Sequence, residues 1–574
     1  MARRMSGRAA SLMAVLLLFA SCGTPPDLDI QRLATGSFDT VAEEVRRSEL
    51  YFYPGRASRL GWVGYDDRIP ERDSESVGIH RERLEELLLR LQRMPRTFLD
   101  QQRWVEWLWL EGQVRAELIG YRFRSLPERD PGFYLDPQIE GLASLFERPG
   151  DPTLTPRLEA ILTRLEGMPS QLAAGQEALT QPETWHCRAA RARCRAFIEP
   201  LGQRVGGMLD RLASNPGRRV IHDRLARARH EALSALEAFA DHIDRVLLPS
   251  ATPGFPLGTK TLRQILAFEL LIEEPLDELL DFATSEALAA RAIIEERLPD
   301  GFQPSDWPAL TGGAPDADLR AWLETPRAEA ERLGESLEAF LLLADDEPWV
   351  LRVAGPWEEV LQPRGTLEGM EDPEISRSVL VVPPPTSGLP LGRADWTLTL
   401  LREGARGRLL VWKSLQTNPD AVRRANPSPA LFEAWGGFLE WLLVSWLEAP
   451  LEGDLALALQ RRRLIEACRL AVTIRLHSGT LSLTEARDFL QRQAFLPEPV
   501  AAREVDALIR DPLSGMRLLL ERQLIRLFED YYKNRGPFDF DADELTRELM
   551  SHAGLPIPCI RRLMLPGDPG QRYQ

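Results

Sequence analysis

The chain has 574 residues, 44% hydrophobic and 27% charged. That suits two to four ordinary domains or one large multi-lobed body, and it excludes a disordered or fibrous chain. Seventy Lys and Arg stand against 86 Asp and Glu, a net charge of −16, which excludes a general nucleic-acid binder because that function needs a basic surface to displace counterions from phosphate.

Residues 1–21 have the form of a targeting segment. Arg3, Arg4 and Arg8 make a positive head, and Leu12 to Ala20 make an apolar run that is too short to span a bilayer, which takes about 20 residues. The run ends in Phe19-Ala20-Ser21-Cys22, which resembles a bacterial lipobox, with Cys22 as the lipidated residue. Acyl chains there would hold the protein stably at a membrane. Residues 22–36 are then expected to be a tether. Gly23 stands where an Asp often signals retention at the inner membrane, so a periplasm-facing lipoprotein of the cell envelope, by preference at the outer membrane, is expected. No later stretch is long and apolar enough for a membrane-spanning helix.

The mature chain is expected to be mainly α. Leu84, Leu87, Leu88 and Leu91 recur at helical spacing before Pro95, and Leu233, Leu236, Ala240, Ile243 and Leu247 do the same later. A Pro/Gly-rich break at 249–258 divides an N-terminal helical lobe, 37–248, from a C-terminal one, 249–574, within one continuous body over 37–574. Val350–Val353 and Ser378–Val382 are short β-branched runs bounded by prolines, so a small β-sheet insert is expected near 348–383. Ser482-Leu483-Thr484-Glu485 has the form of a capping box opening a helix through Phe489 and Leu490. Of the four remaining cysteines, Cys187 and Cys194 would lie about 10 Å apart on one helix, beyond bridging distance. Spacing leaves a Cys468–Cys559 disulfide open.

A direct search for chemistry finds little. His230-Glu231 starts like a zinc HExxH, but Ser234 stands where the second ligand belongs. His222 and His230 would be about 12 Å apart along a helix, too far to share a metal. There is no phosphate loop, no GxSxG elbow and no catalytic Cys–His signature.

The C-terminal half carries a resemblance. Asp511-Pro512, Gln523 to Tyr531, Gly536-Pro537-Phe538-Asp539 and Leu555-Pro556-Ile557-Pro558 with Arg561 to Leu565 resemble the bacterial family DUF885, mostly helical proteins of zinc-metallopeptidase type. Leu476-His477-Ser478-Gly479 and Asp130-Pro131-Gly132-Phe133-Tyr134 also fit its pattern. The resemblance implies a metallopeptidase-like fold with a zinc site written HExxPGH, then FxEGWAxYxE. Here those segments read Arg402-Glu403-Gly404-Ala405-Arg406-Gly407-Arg408 and Phe432-Glu433-Ala434-Trp435-Gly436-Gly437-Phe438-Leu439-Glu440. Both histidines are arginine, which has no lone pair to offer a cation. Arg402 and Arg408 would pair instead with Glu403 and Glu433. A Tyr that the family carries falls near Arg517 or Leu518.

The resemblance therefore implies a protein without metal or other cofactor. Glu403 remains as a vestigial general base, and Arg402, Arg406, Arg408, Glu433, Trp435 and Glu440 line a vestigial cleft. The expected function is non-catalytic: binding of a peptide or protein ligand, with a strand around Ser378–Val382 as the edge of the cleft and the arginines receiving carboxylates, or a scaffold role in which the cleft is filled by the protein's own side chains. The alternative is an active hydrolase with a carboxylate-based site, in which Glu403 is the base and hard oxygen ligands favour Mg or Ca.

Overall fold

The structure is a computed structural model, and it describes residues 27–565 apart from 149, 316–317, 338–349, 354–366, 369–378, 383–388 and 448–452. The leader 1–21, the expected lipidation residue Cys22 and residues 23–26 lie outside the described residues. From residue 27 onward the expected tether is helical, a correction to its extent.

Nineteen helices of eight residues or more are found among the described residues. The first seven are α1 Asp27–Phe52, α2 Ser74–Arg93, α3 Gln101–Arg122, α4 Gly132–Phe146, α5 Thr155–Ala178, α6 Thr184–Ala213 and α7 Arg219–His242. Three follow in mid-chain: α8 Thr259–Glu269, α9 Leu276–Glu295 and α10 Leu319–Glu335. Then come α11 Arg393–Glu403, α12 Arg408–Gln416, α13 Ala430–Trp441, α14 Gly453–His477, α15 Leu483–Ala494 and α16 Glu498–Arg510. The last three are α17 Arg517–Arg535, α18 Ala542–Ser551 and α19 Ile557–Met564. None of them is long and apolar enough to cross a membrane.

The local causes are ordinary ones. Leu84, Leu87 and Leu91 form the fully buried stripe of α2, and Asp73 caps its N-terminus through the amides of Glu75 and Ser76. Leu236, Ala240, Ile243 and Leu247 are buried along α7 and the π-helical turn that continues it. The capping box at Ser482 is present, with Glu485 accepting from the Ser482 amide at 2.8 Å and Ser482 Oγ accepting from the Glu485 amide at 3.3 Å. In the 249–258 break, Gly258 takes a φ of 81° before α8 starts, a conformation that costs glycine little.

Packing does not follow the expected two lobes. Residues of α4 to α7, from Tyr134 to Leu247, make a hydrophobic core of their own. The helices before them do not belong to it. Phe38 and Val45 of α1, Leu87 of α2 and Trp109 of α3 share one core with residues of α8 to α14 and α17 to α19. The first three helices are thus part of the C-terminal body, and the break at 249 closes an inserted four-helix unit rather than an N-terminal half. A third cluster joins α9, α14, α15 and α16.

Of the segment 338–388, three short strands are described: β1 Val350–Val353, β2 Leu367–Glu368 and β3 Val379–Val382. Their order is β1-β3-β2, parallel between β1 and β3 and antiparallel between β3 and β2. Most of the expected insert over 348–383 lies outside the described residues. β3 is the central strand, paired on one side at Val379–Val382 and on the other at Val379 and Leu380. The strand expected to edge a peptide cleft therefore lacks a free edge where it is paired, and that expectation is withdrawn.

The four described cysteines are buried free thiols. Cys468 and Cys559 belong to different hydrophobic clusters, so no disulfide joins them. Burial pushes all four thiols up to about 12.

Candidate functional site

The expected site residues come together where α11, α12, α13, α14 and α17 converge. α11 ends at Glu403, the chain turns through Gly404 to Gly407, and α12 starts at Arg408. Gly407 is required by a close approach. A Cβ there would collide with the main-chain carbonyl of Arg402 and would sit 2.6 Å from the Leu401 carbonyl oxygen. This tight turn separates Arg402, at the end of α11, from Arg408, at the start of α12.

Arg408 lies at the centre of one half of the site and is 9% exposed. Its Nη1 donates to both Glu403 oxygens at 3.3 and 3.4 Å, its Nη2 pairs with Glu433, and its Nε donates to the Phe432 carbonyl at 3.2 Å. Glu433 is shared. Arg517 reaches it through Nε at 2.9 Å and Nη2 at 2.7 Å, and donates from Nη1 to Glu466 at 2.8 Å. Arg469 extends the chain of charges to Glu504 at 3.1 Å.

Burial alone would raise the Glu433 carboxyl, but Arg517 and then Arg408 outweigh it and hold it at about 2. Burial likewise acts to raise Glu466, and Arg517 and Arg469 hold it well below the usual carboxylate range. Opposite charges at hydrogen-bond distance have overcome desolvation at both positions.

The other half is built on Arg402 and Glu440. Arg402 is 7% exposed and lies against Gly436, where a Cβ would come within 2.8 Å of its Nε. Its nearest carboxylate oxygen is Glu440 Oε1 at 3.8 Å. Glu440 is 1% exposed and pairs with Arg462, which also donates to Glu521 at 3.1 Å. Burial raises Glu440, against the pull of Arg462 and Arg402. Burial and the like charge of Arg462 lower Arg402. Gly437 makes room for Glu521, because a Cβ there would collide with its carboxylate. The Gly436-Gly437 doublet in α13 is thus the imprint of two charged side chains crossing its face.

Three expected roles need correction. Arg402 and Arg408 are buried and face the protein's own carboxylates, so they are not free to receive a ligand carboxylate. Trp435 is fully buried, rests its ring 5.5 Å from that of Phe438 and donates from Nε1 to the Arg406 carbonyl at 3.0 Å. It is core, and it pins the turn after α11. Arg406 lies against Gly334 of α10, away from the pairs formed by Glu403 and Glu433. Of the expected set, Glu403, Arg408 and Glu433 meet in one half of the network and Arg402 and Glu440 in the other.

Several partners were not among the expected site residues: Arg462, Glu466 and Arg469 on α14, and Arg517 and Glu521 on α17. A signal for the first three was present. Charges at 462, 466 and 469 recur at helical spacing among Leu464, Ala467, Cys468, Leu470 and Val472, all buried. A helix apolar on every side has to pair whatever charge it carries.

The zinc ion implied by the family resemblance does not fit these residues. The two positions that would supply imidazoles hold guanidinium groups, and the carboxylate that would complete the set, Glu433, is taken by Arg408 and Arg517. Among the described residues no three His, Cys, Asp or Glu side chains are grouped so as to hold a metal ion. His477 is distant from this role: it is buried, contacts the Leu508 carbonyl at 3.0 Å through Nε2, and is held at about 4 by burial.

A cleft of about 320 Å³ opens beside the half built on Arg402 and Glu440. Glu440, Arg462 and Glu521 form its floor, and Phe282, Trp441, Val444, Leu459, Leu518 and Ile525 supply its apolar walls.

Two solved structures share this fold. One is "a putative lipoprotein of unknown function" from Shewanella oneidensis, with a TM-score of 0.68 and 15% identity over 92% of this chain and 99% of that one. The other is a "putative lipoprotein" from Colwellia psychrerythraea, with a TM-score of 0.75 and 13% identity over 92% of this chain and 98% of that one. A comparison with curated proteins gives no match. The model of a family described as bacterial proteins of unknown function matches residues 54–564, and the chain belongs to that family, DUF885.

Proposed function

We propose that this protein is a non-catalytic, lipid-anchored member of its family that binds a peptide or protein ligand in the cell envelope. The observation that carries the proposal is the double engagement of Glu433 by Arg408 and Arg517. On the resemblance, fixed guanidinium charge would stand in for a cation beside Glu433, and a guanidinium has no electron pair with which to coordinate one. Glu403 would be the base of any residual hydrolysis, yet Arg408 holds it at 3.3 Å, and a general base needs a lone pair directed at water. The leader with Cys22 and the two lipoprotein relatives support anchoring, and the cleft beside the network supports binding.

Incubation of the full chain with a mixed peptide library, with and without added Zn²⁺, tests the loss of catalysis. Mass spectrometry is expected to find no cleavage above the buffer blank in either condition. Cleavage that disappears in Glu403→Gln would replace this proposal with a working hydrolase.

A further inference from the structure

We propose that the cleft above Glu440, Arg462 and Glu521 binds the C-terminal residue of a peptide, with an apolar side chain against Trp441 and Ile525 and the terminal carboxylate between the guanidinium groups of Arg522 and Arg526. This rests on the non-catalytic binding role proposed above and names its site and ligand.

At about 320 Å³ the cleft is at the small end of ligand sites, a size that suits one residue rather than a folded partner. It lies between α9, α14, α17 and the end of α13, where a π-helical turn, Leu442–Trp446, continues the helix. Such turns insert one extra residue and re-aim the side chains around them. Val444, on that turn, is 38% exposed and forms part of the wall. The floor charges are committed to each other: Arg462 holds both Glu440 and Glu521. On the α9 side, Glu286 is held by Arg463 at 2.5 Å.

Arg522 and Arg526, farther along α17, are less fully engaged than Arg517. Arg522 lies over the Phe282 ring with its Cζ 4.2 Å from the centroid, which fixes the plane of its guanidinium. It has one carboxylate contact, Nη2 to Glu274 at 3.3 Å, and its Nε has no hydrogen-bond partner. Arg526 follows one helical turn later, exposed and without an ion-pair partner among the described residues. The two like charges are close enough that Arg526 adds to burial in lowering Arg522, against Glu274 and Glu286, which act to raise it. Two adjacent guanidinium groups repel, and a carboxylate that can accept from both relieves the repulsion. A peptide C-terminus presents that carboxylate beside an apolar side chain, which matches the basic edge and apolar walls. Glu529, on the outer rim, is the competing anion.

The test is calorimetric titration of the full chain in detergent with acetyl-Ala-Phe bearing a free carboxylate, with its C-terminal amide, and with hexanoate. The free acid is expected to bind at one site per chain and the amide about tenfold more weakly or worse. Arg526→Ala, at an exposed position, should weaken the free acid about tenfold, and Glu529→Gln should tighten it. Equal affinity for acid and amide, no effect of Arg526→Ala, or binding of hexanoate with no binding of the peptide would each overturn the proposal. Peptide bound as described but also cleaved would refute the non-catalytic role and leave the cleft assignment standing. No binding and no cleavage would refute the cleft assignment alone.

Discussion

Glu433→Gln is expected to destabilise the protein by about 3 kcal/mol, read as a lowered urea midpoint of tryptophan fluorescence. The substitution keeps the shape of the side chain and removes its charge. Arg408 and Arg517 would then stay largely buried while sharing Glu403 and Glu466 as their remaining counterions, and an under-compensated buried charge is the costly outcome of breaking such a pair. Adding Arg517→Met to Glu433→Gln removes one of the stranded charges. The double variant is expected to be less destabilised than the sum of the two single variants, because residues in one ion-pair network do not act additively. Purely additive effects would mean that the pairing contributes nothing.

The pH dependence fixes the sign of this effect. Glu433 is held at about 2 in the folded protein against an ordinary 4.5. A depressed carboxyl adds stability that is fully present above 4.5 and is lost as the pH falls toward 2. The stability gap between wild type and Glu433→Gln should therefore close across that window. Glu440 acts in the opposite direction. Burial raises it, so its ionisation opposes folding at neutral pH, and the Glu440→Gln variant should lose less at pH 7 than Glu433→Gln does.

Gly407→Ala is expected to cost about 3 kcal/mol or more, with a drop in soluble yield. The glycine does not have a left-handed backbone (its φ is −88°), so the penalty comes from contact and not from torsion. The added methyl would meet the Arg402 carbonyl and the Leu401 carbonyl, which are main chain at the end of α11 and cannot rotate away. Relief requires moving α12, and with it Arg408, from Glu403 and Glu433. Gly64→Ala, where an added Cβ meets nothing within 4 Å, is the control and should leave the urea midpoint nearly unchanged.

Much of the helical body was legible in the sequence because its signals are local. The stripe of Leu84, Leu87 and Leu91 and the Ser482 capping box are set by residues within one or two turns of each other. The division at Pro249 was misleading for the same reason. The break is real, but whether α1 to α3 pack with the helices after them or with the C-terminal body is decided by packing between helices far apart in the chain, such as α3 against α8 and α19, and no local pattern encodes that.

The site was legible to the same degree. The frame of Glu403, Gly407, Glu433 and Glu440 could be read, and so could the pairing of Arg408 with Glu403 and Glu433. The burial of Arg402 and the diversion of Arg402 to Glu440 could not, since both depend on Arg462, Arg517 and Glu521 arriving from other helices. Trp435 can be read as core or as ligand platform, because an aromatic residue at helical spacing reads alike whether it faces a cleft or a core. Its indole bond to the Arg406 carbonyl identifies it as part of the scaffold.

The central claim is that fixed guanidinium charge stands where the family resemblance places a metal, and zinc stoichiometry tests it most directly. Mass-spectrometric metal analysis of the full chain, purified from zinc-supplemented cells without chelator and then titrated with Zn²⁺, is predicted to give far less than one zinc per chain and no saturable site near Glu433. One tightly held zinc per chain that is lost on Glu433→Ala would contradict the account.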